Sequence, residues 1–521
     1  MYNQKMRDTW IAMFIVLGFG VVPFQKAFPQ EKMTVSVETI VDKIRGGLLG
    51  QMLGNLNGLH HEFKYNDLPG NVLNYTPALP NGARTDDDTD FEWLYIYEMQ
   101  KKREVFLDPE YIANIWIEHV NDGVWFSNRF ARYLMDIGFK PPYTGYTEFN
   151  PWAEFNISGQ FLCETFGLIA PAMPQTAAKI GLNYTTVAIN SEPAQTTQLF
   201  TTMIATAFVE SDMDKIIDAG VAALDNKSII KQIITDIRQW YKENPADWRK
   251  TRILLKEKYM KEGGRLRDRN GYEFNTGAII AALLYGNGDF AESIKLSFNL
   301  GWDADCNAAT VGTILGTIKG YRWMMTQNKP NEPLWQVVDR YRNTSRNNMP
   351  MNETITSFAD RLIELFEMIN TENGGSKKLK SNIMVYEIPT ESPSPVTFLV
   401  QSDRKSELRR SFDKQIKIDF NSDNREVRAK ATYMAICLDM DELFQKENPQ
   451  KWEAACYELS GYWKIMSNIF EVIHGNSKNI LEFSKKFQKA GFKTPLKRSE
   501  DRDNNIYTDK EFWKDPKTLY K

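Results

Sequence analysis

The sequence predicts a mainly α-helical protein, and three observations carry that prediction. Apolar residues recur at helical spacing through most of the first 370 residues, strand signals are few there, and two distant stretches carry small residues along one helical stripe. Short apolar alternations begin only beyond residue 375, so the expected fold is a helical body with a smaller α+β C-terminal appendage. At 521 residues, 42% of them hydrophobic and 25% charged, the chain is long enough for two or three domains and a large core.

Charge and residue usage exclude several functions. The 64 basic and 67 acidic residues leave a net charge of −3, so no broad basic field favours nucleic acid or an anionic membrane. The four cysteines include no C-x-x-C pair, and the four histidines include no H-E-x-x-H arrangement, which disfavours a zinc centre.

Taken in order, residues 1–30 read as a signal peptide. Lys5 and Arg7 precede an apolar run from Trp10 to Val22 that Pro23 breaks. The run is too short to span a bilayer core, so an exported protein, periplasmic or secreted, without a stable membrane anchor after signal removal is expected.

Residues 39–59 have helical apolar spacing with Gly50, Gly54 and Gly58 at every fourth position. Each interior glycine costs about 0.5–1 kcal/mol relative to alanine, so the stripe implies close approach by another helix or by a ligand. It delivers Glu62 one turn past Gly58. His60 and His61 beside it read as surface or supporting residues. Residues 63–84, rich in Asn, Pro and Gly, read as a loop.

Arg84 to Trp93 then concentrates like charge in Asp86, Asp87 and Asp88, ahead of the core aromatics Phe91, Trp93, Tyr95 and Tyr97. Two readings fit. Carboxylates in a first helical turn offset the helix dipole, and clustered carboxylates hold hard cations. Helices are expected over 91–103, 108–120 and 126–137. The loop 138–152, with Tyr143, Tyr146, Phe149 and Trp152, either walls a pocket or simply packs. Asn156 to Gln160 opens a helical stretch that continues through 195–210, 212–223, 226–242 and 246–258.

A second acidic pair, Asp303 and Asp305, lies before the small-residue stripe Ala308, Ala309, Gly312 and Gly316. Residues two apart on a regular helix face different ways, so the two carboxylates converge only in the turn before the helix. Otherwise one caps the helix and the other is solvated. Helical pattern resumes at 332–343 and 353–370, and composition shifts at 371–376. Strands are expected at 383–388, 396–401 and 415–420, then helices at 424–444, 449–473 and 477–490. The expected division is a helical unit over 34–372, an accessory α+β unit over 377–498, and a polar tail over 499–521.

Three elements in this order, Gly50-x-x-x-Gly54-x-x-x-Gly58-x-x-x-Glu62, Asp86-Asp87-Asp88-Thr89 and Gly301-Trp302-Asp303-Ala304-Asp305-Cys306-Asn307, resemble the ADP-ribosylglycohydrolase family, of the dinitrogenase-reductase-activating glycohydrolase type. The resemblance spans roughly residues 34–370. It implies an orthogonal bundle of helices around a cleft with two Mg²⁺ ions, Mn²⁺ being a possible substitute. By the same resemblance Asp86, Asp87, Asp88, Asp303 and Asp305 would be metal ligands, with Asp305 bridging. Glu62 would be the catalytic carboxylate, and Ser158 and Gly159 would fall on a substrate loop. The chain departs from the family pattern where Asp86 replaces Thr, Asn55 replaces Asp, Cys306 replaces Thr, and Ser191-Glu192 stands near a usual histidine.

The implied activity is magnesium-dependent hydrolysis of an N- or O-glycosidic ADP-ribosyl bond in a small-molecule or modified substrate. Two alternatives are an exported hydrolase of a non-phosphorylated glycoside with the same metal centre, and a ligand-binding relative without turnover.

Overall fold

The structure is a computed structural model and describes residues 31–260, 270–327, 335–399, 403–470, 478–494 and 512–513. The expected signal segment, 1–30, lies outside the described residues. No described helix is long and apolar enough to cross a membrane.

Strand β1 (Lys32–Ser36) leads directly into α1 (Val37–Gly58), where Ser36 caps the helix by accepting from the Thr39 amide at 3.0 Å. The body continues through α2 (Asp87–Lys102), α3 (Pro109–His119), α4 (Phe126–Met135), the short α5 (Ser158–Phe161) and α6 (Glu164–Leu168). Next come α7 (Pro174–Thr185), α8 (Ser191–Ala207), α9 (Met213–Ala222), α10 (Ile229–Glu243) and α11 (Trp248–Tyr259). Beyond them lie α12 (Tyr272–Tyr285), α13 (Phe290–Leu300), α14 (Ala304–Lys319), α15 (Tyr321–Met325) and α16 (Ile355–Glu372). The protein is mainly α, as the apolar periodicity predicts.

The central pair is α1 against α14. Gly50 faces Gly312, Gly46 faces Gly316, Gly54 faces Ala308 and Gly58 faces the Asp305 backbone, so the two helices run antiparallel along both small-residue stripes. A Cβ at Gly50 would collide with the Gly312 carbonyl, and one at Gly312 with the Gly50 carbonyl. The close approach that the glycines require is therefore made by a helix, and it brings the Glu62 end of α1 to the Asp305 end of α14.

Two small sheets tie distant parts of the chain together. β1 pairs antiparallel with β6 (Ile383–Pro389), which pairs antiparallel with β5 (Ser376–Lys380). The register sets Met33 opposite Ile388 and Val35 opposite Tyr386, which places their apolar face on the main core. β2 (Ala83–Arg84), β3 (Tyr341–Arg342) and β4 (Asn352–Glu353) form the other sheet, β2 and β3 being parallel.

The C-terminal part holds α17 (Arg404–Asp419), α18 (Arg425–Cys437), α19 (Asp441–Glu447), α20 (Pro449–Ser460), α21 (Trp463–Phe470) and α22 (Lys478–Lys489). The stretch 415–420, expected as a strand, is the end of α17. Leu408, Phe412, Ile416 and Phe420 recur every fourth residue, and that stripe outweighs the short alternation of Ile416, Ile418 and Phe420. Among the described residues of 396–401, none is in a strand. Their backbone is bonded to side chains of α8 instead.

The helix expected at 332–343 is absent among the described residues 335–343. Leu79 pairs with Val337, and Tyr341–Arg342 is a strand, because this backbone bonds to the 79–85 segment rather than to itself. The helix expected at 424–444 is broken at Asp439, whose φ is +55°. Of the expected polar tail, Phe512 and Trp513 are described and both are buried, Trp513 against Phe492.

Candidate metal centre

The β2–β3 pairing fixes the entry to α2. The Thr85 amide donates to the Arg342 carbonyl at 2.9 Å, and Thr85 Oγ1 accepts from the Thr344 amide at 2.7 Å. Asp86 then occupies the N-cap of α2, with the Thr89 hydroxyl 3.4 Å from its amide. Asp90 turns the other way, into a buried ion pair with Arg346 at 2.7 Å. The helix-start reading of the acidic run therefore holds, with Asp86 at the N-cap, and the run also lies close to the second acidic pair.

That pair straddles the start of α14: Asp303 precedes the helix and Asp305 is already within it, so the two carboxylates meet across the helix entry and not, as expected, in the turn before it. Gly301 (φ +84°) and Trp302 (φ +57°) are both left-handed, Asp303 is the N-cap of α14, and Asp305 lies in its first turn. Any side chain at Gly301 would strike the Tyr65 carbonyl. Trp302 is stacked between Phe274, at 4.7 Å, and the Arg252 guanidinium, at 3.9 Å, which fixes the turn.

Carboxylate oxygens of Asp86, Asp87, Asp88 and Asp305 lie within 4.8 Å of one another, and so do those of Glu62, Asp303 and Asp305. Asp305 belongs to both sets. The Asn55 amide donates to Asp86 Oδ2 at 3.0 Å and to Asp88 Oδ2 at 2.5 Å, and the Asn270 amide donates to Asp303 Oδ2 at 2.6 Å. The other oxygens, Asp88 Oδ1 and Asp303 Oδ1, are buried with no hydrogen-bond partner, as is Asp305 Oδ1.

Burial, reinforced by the neighbouring carboxylates, pushes Asp87, Asp88 and Asp305 well above the usual carboxylate range; burial also raises Asp303. Like charges forced together out of water need a counter-charge. Asp305 shares one close group with Asp88 and another with Asp303, each of the three keeps one unpartnered oxygen, and an all-oxygen donor set suits a hard divalent cation. Cys306 also reaches Asp88 and Asp305, but burial beside aspartates pushes its thiol well up, which makes it a poor ligand for such an ion.

Beside the carboxylates is a narrow cleft lined by Glu62, Phe63, Trp125, Phe126, Asn128 and Asn156, with Asp87, Asp303 and Asn270 at its base. An amide chain links wall to base: Ser158 Oγ donates to Asn128 at 3.2 Å and also to Asn156, and the Asn156 amide donates to Asn270 Oδ1 at 3.4 Å. Neither Ser158 nor Gly159 lines the cleft. Ser158 is buried and reaches it through Asn128 and Asn156, whereas Gly159 faces Pro193 and Thr196 of α8. Glu192 is not in the cleft either. Its carboxylate accepts from the Ser228 hydroxyl at 2.8 Å and the Ile229 amide at 3.1 Å, at the start of α10, so it bears on no phosphate in the cleft.

His61 packs its ring on Phe298 at 4.7 Å, a supporting place. The aromatics of 138–152 pack against the C-terminal helices, Tyr143 on Phe412 and Phe139 on Tyr433. Sequence reasoning missed Asn270 and the aromatic wall of Phe63, Trp125 and Phe126. Asn55 stood out only as a departure from the family pattern, not as the amide that bonds to Asp86 and Asp88.

The family model described as ADP-ribosylglycohydrolase matches residues 36–371 of the chain. A solved structure described as an ADP-ribosylglycohydrolase-related protein complex shares 15% identity, over 64% of this chain and 99% of its own, at a TM-score of 0.39, a likeness that carries no structural weight. No curated protein matches significantly.

Proposed function

The chain belongs to the ADP-ribosylglycohydrolase family and is a hydrolase of that type, and from that premise we propose a magnesium-dependent glycohydrolase that cleaves an N- or O-glycosidic ADP-ribosyl bond. The observation that carries the reading is the pair of close carboxylate groups that share Asp305, one of them with Glu62, in which Asp88, Asp303 and Asp305 each keep a buried oxygen without a partner. Asp86, Asp87, Asp88, Asp303 and Asp305 would hold two Mg²⁺ ions, Asp305 being shared. Bound there, the ions would supply Lewis-acid charge that orients a ribose hydroxyl or a water and offsets charge developing at the anomeric centre.

The chain's own residues have distinct parts. Glu62, half-buried at the cleft edge, holds and releases the proton as general acid or base. Asn55 and Asn270 fix the rotamers of Asp86, Asp88 and Asp303 by holding one oxygen of each. Phe63, Trp125 and Phe126 present apolar faces to the substrate and exclude water from the scissile bond.

A second reading, a non-phosphorylated glycoside as substrate, is favoured by the absence of Lys and Arg among the described residues lining the cleft. It accords with the proposal that residues 1–30 direct export. Calorimetric titration of the magnesium-loaded protein with ADP-ribose, repeated after chelation, tests the choice. Metal-dependent binding is the expected result. No binding by a folded protein that still takes up two ions would move the substrate to the second class.

A further inference from the structure

The C-terminal helices do not hang from the catalytic body; they are fastened to it beside the cleft. Their connection is strapped along α8 by Gln198, a buried side chain whose Oε1 accepts from the Val396 and Thr397 amides at 2.7 and 2.8 Å and whose Nε2 donates to the Thr397 carbonyl at 3.0 Å. Asp225 accepts the Leu399 amide at 3.1 Å. Beyond the strap the helices grip α4 and the 138–155 segment. Tyr433 Oη donates to the Phe149 carbonyl at 2.5 Å, Arg129 Nε to Asn468 Oδ1 at 3.2 Å, and Lys464 pairs with Asp122 at 2.7 Å.

What they grip is the cleft wall. α4 begins at Trp125, Phe126 and Asn128, all of which line the cleft. Phe126 has φ +31°, a region that a phenylalanine holds only when its surroundings impose it. Those surroundings are Trp152, stacked on it at 5.3 Å, and the hydrophobic core that residues 126–155 share with α17 to α22. On the other side the wall is held by Asn150, whose amide donates to the Ser127 carbonyl at 3.0 Å, and by Arg132, which donates to the Val120 carbonyl at 3.3 Å.

We propose that the C-terminal helices complete the substrate site, acting as positioning elements that hold Trp125, Phe126 and Asn128 against a flat apolar face of the bound substrate. The inference rests on the reading of this cleft as the substrate site. It assigns the helices a part in substrate selection and none in the chemical step, because they bear on α4, and the hydrogen bonds from α4 to the carboxylates pass through Asn128, Ser158, Asn156 and Asn270.

The test uses the full chain with Asn468→Leu and, separately, Tyr433→Phe, assayed on an ADP-ribosylated substrate. Loss of binding shared by ground state and transition state raises KM and spares kcat. The expected result is a KM raised about tenfold with kcat within about twofold and two ions still bound. An unchanged KM, or a fall in kcat at constant KM, overturns the proposal. Should Asn468→Leu not fold, Tyr433→Phe, which removes one hydroxyl, gives the same readout.

Hydrogen exchange separates this proposal from the choice of substrate. In either variant the amides of residues 126–135 should exchange faster while those of α1 and α14 stay unchanged. If the wild type neither binds nor cleaves ADP-ribosyl compounds, the activity reading fails, and exchange alone decides. Exchange that stays as in the wild type at 126–135 overturns the positioning role.

Discussion

Glu62 and Asp305 lie in the same group of carboxylates, and their expected parts predict different defects. Glu62→Gln keeps a similar shape but cannot transfer the proton, so it should bind both ions and lose about 10²-fold or more in kcat. Asp305→Ala removes the side chain common to both donor sets and should abolish metal uptake and activity together, read by calorimetry and turnover. Full activity in either variant would sink the mechanism. Asn55→Leu removes the amide that holds one oxygen each of Asp86 and Asp88. It should weaken metal affinity by about 10–100-fold without touching Glu62. The carboxylates were legible because clustered charge is conspicuous in a sequence. Of the amides that bond to them, Asn55 stood out only as a departure from the family pattern and Asn270 not at all, since an asparagine has no sequence signature for the partner it meets across the fold.

Helices α1 and α14 show what a repeated glycine means when it is repeated on both partners. Gly312→Ala would drive a methyl group into the Gly50 carbonyl, and backbone on both sides cannot yield cheaply. The expected cost is about 1–3 kcal/mol of stability in denaturant unfolding. Gly123→Ala, in an exposed turn where only the Asn121 side chain is near, is the control and should change little. Equal stability of the two variants would remove the helix pair from its central place. Helix α17 is a complementary case, because its apolar stripe at every fourth residue was in the sequence and was masked by a local two-residue alternation. By contrast, the segment 335–343 makes its bonds to residues 79–85, distant in sequence, and no local pattern reports such a partner.

For the molecule as a whole, the buried carboxylates link stability to pH and to metal. Asp87, Asp88 and Asp305 are held well above the usual carboxylate range, and burial pushes Glu164, beside them, up to about 7. A carboxyl whose folded pKa is raised binds more protons folded than unfolded. The metal-free protein therefore loses stability as pH climbs from the ordinary carboxylate range, about 4, through the raised values. Divalent ions favour the ionised aspartates and oppose that loss. The rise in Tm on adding Mg²⁺ to chelated protein should therefore be larger at pH 8 than at pH 5, as thermal unfolding with and without chelator would read. A metal effect that is flat across this range would contradict the cluster's role as an ion site.

By itself the sequence determined the helical class, the helix carrying the first glycine stripe, the two acidic motifs and the family they resemble. Those are local properties: periodicity, spacing and composition act within a few residues of the chain. Only the tertiary structure decided that the two stripes face each other, that Ser158, Gly159 and Glu192 stand back from the cleft, and that the C-terminal helices share a core with its aromatic wall. The physical reason is that each of these depends on which surfaces meet, and burial selects among such meetings by fit over the whole core.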